Sequence, residues 1–130
     1  MTGVAYADAS ALVKLILLEA DSGAVHRWFT EAPRIATSRI GVVETIRASS
    51  RRNHDAAQRD RVLEEVEIID LSPAMAAAAA ALRPPLLRTL DTIHLATAMA
   101  LLPDLDAFVT YDDRMAEAAR AIGLPVVRPA

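Results

Sequence analysis

Short β-prone runs alternate with helix-length segments along the whole chain, and no other feature limits the possible fold as much. Val4-Ala5-Tyr6-Ala7 and residues 34–38, 67–70, 107–110 and 124–128 are mostly apolar or β-branched. Between them lie helical signals: a buried helix over 11–18, another over 21–30 stopped by Pro33, and a long one over 39–52 that Ser38 can cap. In that long helix Ile40, Val43 and Arg47 share one face, and Glu44 lies beside them. A charged helix follows over 55–66, and Ser72-Pro73 opens an alanine-rich helix that must end before Pro84-Pro85. Gly123 closes a last helix over 114–122. Strands separated by whole helices pair in parallel, so the pattern predicts an α/β fold: a short, mostly parallel sheet with helices on both faces. With no repeat or linker in view, residues 1–130 read as a single domain.

Parallel α/β sheets gather ligands where strands end and helices begin. Asp8 and Asp112 both fall at such junctions. Asp91 opens a mostly buried helix over 91–100, where it can reach the same crevice, and Glu44 can reach it from the side of its helix. Taken singly, each acid has a plain structural role. Asp8, Asp91 and Asp112 can cap helices, and Glu44 can pair with Arg47 one turn on. Taken together, four carboxylates in one crevice repel each other unless a cation compensates them. An all-oxygen donor set suits Mg²⁺ or Mn²⁺, which assists hydrolysis of a phosphodiester by water. Asp104 and Asp106 read as solvated loop acids, and His94 as a packed or capping histidine of the Asp91 helix. Arg47, Arg51 and Arg52 can contact RNA phosphates or simply form a solvated face.

Composition removes several alternatives. The absence of cysteine excludes disulfides, zinc–thiolate sites and thiol nucleophiles, and it fits a cytoplasmic protein. A net charge of −3 speaks against a protein coated in nucleic acid, though not against an acidic metal site with a basic flank. No apolar stretch reaches the roughly twenty residues of a membrane span, so no membrane association is expected.

The opening Tyr6-Ala7-Asp8-Ala9-Ser10-Ala11-Leu12-Val13-Lys14-Leu15 resembles that of PIN-domain nucleases, in which an aspartate is followed two positions later by Ser or Thr. Val43-Glu44 with Arg47 resembles their helical glutamate, and Leu90-Asp91-Thr92-Ile93-His94-Leu95-Ala96-Thr97-Ala98 their third acid. Thr110-Tyr111-Asp112 is similar to the fourth, and Gly123-Leu124-Pro125-Val126 to their closing turn and strand. The ordered set spans nearly the whole chain and is nearest to the VapC-type toxins of toxin–antitoxin pairs. This resemblance implies an endoribonuclease using Mg²⁺ or Mn²⁺, a homodimeric state, an RNA substrate and a cognate antitoxin protein. It also implies that Asp8 and Asp91 are direct metal ligands, that Asp112 and Glu44 complete the acidic pocket, and that Ser10 and Thr110 hold carboxylates in place. Asp113 could share the part of Asp112.

Three rivals remain. An aspartate phosphatase or phosphoacceptor would need a lysine late in the chain, and none follows Lys14. An inactive PIN module that only binds nucleic acid or a partner, and a DNA-directed one, present the same acids.

Overall fold

The computed structural model describes residues 2–130. Its sheet is built on β1 (Val4–Ala7), which lies between β2 (Ile35–Ser38) and β4 (Leu105–Val109), with β3 (Glu67–Ile69) and β5 (Val126–Val127) at the edges. Every neighbouring pair is parallel, and the register sets Tyr6 beside Ala36 on one side and Phe108 on the other. Successive side chains of a strand face opposite ways, and that period of two divides the core. Ala5, Ala7, Ala107 and Val109 face one apolar cluster, while Tyr6 and Phe108 face the other.

The first cluster is covered by α1 (Ala9–Leu12), α2 (Ser22–Glu31) and α4 (Ala56–Glu64), which contribute Leu12, Val25, Phe29 and Val62. The second is covered by α6 (Thr89–Met99) and α7 (Asp113–Ala121), with Leu95, Ala98, Met115 and Ala119. Two more helices, α3 (Arg39–Ser50) and α5 (Pro73–Ala81), complete the fold. The parallel sheet covered on both faces is the architecture the alternation predicts. Among the described residues, no helix is long and apolar enough to cross a membrane.

Local chemistry explains the departures. The helix expected over 11–18 stops early: α1 passes into a 3-10 turn (Val13–Leu15), and Leu18 is 92% exposed. Ser22 fixes the reversal, accepting from the Glu19 amide and donating to the Leu17 carbonyl, both at 2.9 Å. Asp106 is not in a loop but in β4, where it accepts the Gly3 amide at 2.6 Å. In α3 the buried stripe is Gly41, Thr45 and Ser49, and the face holding Ile40, Val43 and Arg47 lines a cleft instead. Small residues let α3 approach closely: a Cβ on Gly41 would collide with Thr37 Oγ1 and lie 3.3 Å from His94 Cε1.

Candidate active site

At the carboxyl end of β1 the chain turns into α1, and Asp8 is the cap of that helix. Its carboxylate is 4% exposed and held on both oxygens. Oδ1 accepts the Ser10 hydroxyl at 2.5 Å and the Ala11 amide at 3.2 Å; Oδ2 accepts the Thr110 hydroxyl at 2.5 Å. Burial pushes the Asp8 carboxyl above its ordinary range, against the opposing pull of the two hydroxyls. A carboxylate offers about four acceptor positions, so one on Oδ2 stays free.

Thr110 ties this buried acid to the next. As β4 ends, its Oγ1 also accepts the Asp112 amide at 3.1 Å, while Ser10 Oγ accepts the Tyr111 amide at 2.8 Å. Asp112 then caps α7 through the Arg114 and Met115 amides, at 2.9 and 3.2 Å. Partial burial works to raise the Asp112 carboxyl, but the Met115 amide and Arg88 outweigh it and hold the group below its ordinary range. Asp113, next in sequence, points away: its side chain is 90% exposed and pairs with Arg128 at 2.8 Å.

Asp91 proves not to be a cap. The helix begins at Thr89, its cap residue Arg88 makes no capping bond with its side chain, and Asp91 sits in the first turn. The Arg88 guanidinium joins two acids, with Nε 2.7 Å from Asp91 Oδ2 and Nη2 3.0 Å from Asp112 Oδ2. Glu44 does not pair with Arg47. Its Oε1 lies 2.5 Å from His94 Nε2, and His94 Nδ1 lies 2.6 Å from the buried Tyr6 hydroxyl.

Glu44, Asp91 and Asp112 line one cavity of about 280 Å³ together with Arg88 and Leu90. Through Glu44 and Leu90 it adjoins a larger cleft of about 650 Å³, lined by Ser10, Lys14, Arg47, Arg51 and Tyr111 among others. Arg52 is set apart, reaching Glu19 at 3.4 Å. Three of the four expected acids thus share a cavity, and Asp8 lies buried beside Ser10 and Thr110, linked to Asp112 through Thr110. Sequence reasoning missed Arg88, although its place three residues before Asp91 is an ion-pair spacing on a helix. It also read His94 as a packed or capping histidine and did not foresee its bond to Glu44.

The rim donors are carboxylate oxygens, the chemistry of an Mg²⁺ or Mn²⁺ site, and they already share a cation in the Arg88 guanidinium. Among the described residues, no three His, Cys, Asp or Glu side chains converge into a ready ligand cage. The donor chemistry fits such an ion, while the present spacing, closed by Arg88, does not enclose one.

Comparison with known proteins bears on the same residues. The PIN domain family model matches residues 5–121, which include all four acids. Ribonuclease VapC46 of Mycobacterium tuberculosis is 39% identical over 126 residues, covering 95% of this chain and 96% of that protein. Ribonuclease VapC47 of the same species is 35% identical over 130 residues, with the same coverage. Among solved structures, a toxin–antitoxin complex from Klebsiella pneumoniae is 26% identical with a TM-score of 0.69, covering 97% of this chain and 98% of that one. Mycobacterium tuberculosis VapC20, a sarcin–ricin loop cleaving toxin, shares the fold at a TM-score of 0.72 and 18% identity, with coverages of 96% and 99%.

Proposed function

The chain belongs to the PIN-domain family, alongside the VapC ribonucleases, and from that premise we propose that it is the endoribonuclease toxin of a toxin–antitoxin pair. On this reading it hydrolyses RNA phosphodiester bonds with Mg²⁺ or Mn²⁺. One observation carries the proposal: acids from three separate segments line one cavity, and the Arg88 guanidinium in it pairs with two of them, Asp91 and Asp112. Carboxylates gathered this way need a cation, and here a side chain provides it.

Asp8, Asp91, Asp112 and Glu44 would hold the metal, Asp8 through its free position on Oδ2. The bound ion would supply charge to offset the phosphoryl oxygens and a water of lowered pKa. Ser10 and Thr110 keep the Asp8 carboxylate from turning away, as groups behind metal ligands do. Arg47 and Arg51, on the wall of the larger cleft, are placed to receive the flanking RNA backbone, with Arg52 further out. The reading carries with it a homodimeric state and a cognate antitoxin; the Klebsiella complex and the VapBC2 complex of Rickettsia felis support the latter.

The test is cleavage of single-stranded or looped RNA by the purified protein, free of any partner. Cleavage should require added Mg²⁺ or Mn²⁺ and stop in excess EDTA. Undiminished cleavage in EDTA would refute the metal-dependent reading.

A further inference from the structure

We infer that His94 is a positioning residue, fixed in one tautomer by Tyr6 so that it holds Glu44 at the acidic cleft. The inference rests on the nuclease reading above for its consequence, but its geometry stands apart from it. The Ser38 amide donates to the Tyr6 hydroxyl at 3.2 Å, so the phenol's single proton is free for His94 Nδ1 at 2.6 Å. An Nδ1 that accepts leaves the ring proton on Nε2, and Nε2 faces Glu44 Oε1 at 2.5 Å. The chain of donors therefore has one direction, from the β2 backbone to the cleft.

Little in this chain can move. Tyr6 is fully buried and stacks on Phe108 with ring centres 5.3 Å apart, and its ring stands at 76° to that of His94 with centres 5.8 Å apart. His94 is 1% exposed, and the missing side chain of Gly41 gives its ring room. Glu44 is the one member that reaches solvent, with its side chain 32% exposed. Because His94 takes Oε1, the remaining oxygen is the one left for the cleft. A histidine that merely fills the core would need a satisfied N–H; it would not need a buried phenol to choose which nitrogen carries it.

Two measurements test this. Nitrogen-15 NMR of the histidine-labelled protein should show His94 with Nε2 protonated and Nδ1 bare, and Tyr6→Phe should lower that preference. The Nδ1–H form, or a tautomer mixture unmoved by Tyr6→Phe, would overturn the inference. Second, Mn²⁺ affinity should fall roughly 10- to 100-fold in His94→Leu, the usual cost of losing a group that orients a ligand. His94→Gln, which can return an N–H near the Nε2 position, should recover most of that loss, and kcat should follow while KM changes little. A folded His94→Leu protein that binds Mn²⁺ and cleaves like the parent would overturn it too. If the parent itself neither binds Mn²⁺ nor cleaves RNA, the nuclease reading falls, and the tautomer experiment alone decides the role of His94.

Discussion

The acidic site has two halves that handle negative charge in opposite ways. At the junction of β1 and β4, Asp8 is buried and satisfied by neutral donors: two hydroxyls and an amide. At the rim, Asp91 and Asp112 share a charge, the guanidinium of a half-exposed arginine, with two amides of α7 also held by Asp112. Burial pushes the Asp8 carboxyl up, and its neutral donors, which orient it and pull the other way, do not offset that. A counter-ion at the surface neutralises but does not fix, because solvent can replace it at small cost. Half of the site is therefore buried architecture and half is held by a half-exposed guanidinium, which we call the exchangeable half because an ion could take its place.

The largest expected effect tests whether both halves serve one reaction. Asp8→Asn and Asp91→Asn should each lower RNA cleavage about 10³-fold, corresponding to a loss of about 4 kcal/mol of transition-state stabilisation. Both should stay folded by circular dichroism. Asp91 is not the helix cap, so its substitution leaves the start of α6 as it was. Loss of activity in only one of the two would separate the halves and break the comparison.

The second test reads their opposite electrostatics through stability in EDTA. The Asp8 carboxyl is raised in the folded protein, so the native state binds its proton more tightly than the unfolded chain. Its contribution therefore declines as pH rises from the ordinary carboxyl value, about 4, to the raised one. The Asp112 carboxyl is lowered, so its contribution is complete above about pH 4 and is lost as pH falls toward the depressed value. Against the parent, Asp8→Asn should gain relative stability with rising pH and Asp112→Asn should lose it. Asn caps a helix about as well as Asp, so the second substitution removes charge without removing the cap of α7. Thermal melts between pH 3 and 7 give both slopes, and slopes of one sign would contradict the division drawn above.

The buried half was largely legible in the sequence. Asp8 stands where an apolar run ends and a helix begins, the strand-to-helix junction at which a parallel sheet gathers its functional groups. Ser10 lies two residues from Asp8, near enough for a local bond, whereas Thr110 reaches it across 102 residues from the end of the neighbouring strand. At the rim the acids were legible but most of their pairings were not, because several partners come from distant segments. Glu44 and His94 are 50 residues apart, and Arg88 and Asp112 are 24 apart. Periodicity set Glu44 beside the face of Ile40 and Val43, but did not show which helix stands opposite. That depended on Gly41, whose close approach to Thr37 and His94 exists only once α3 and β2 are packed. The shortened helix after Asp8 has a similar origin in part: Gln58, 43 residues on, donates to the Leu15 carbonyl at 3.1 Å.

The smallest effect is the sharpest test of the rim. If the guanidinium holds the place of a metal, Arg88→Gln should bind Mn²⁺ more tightly, because the ion no longer competes with a tethered charge. A half-exposed ion pair is weak, so the gain should be only about two- to fivefold, and it should shrink as salt rises. Glutamine keeps much of the arginine's length and can still donate to Asp91, so a tighter midpoint reflects lost charge rather than a lost hydrogen bond. The measurement is a manganese titration followed by electron paramagnetic resonance, at two salt concentrations, with Arg88→Lys as the control that retains the charge. Lysine lacks the fork that spans both acids, and it should fall between parent and glutamine. Weaker Mn²⁺ binding in Arg88→Gln would mean that the arginine assembles the carboxylates for the ion instead of excluding it. The rim would then be as much a part of the architecture as the Asp8 corner.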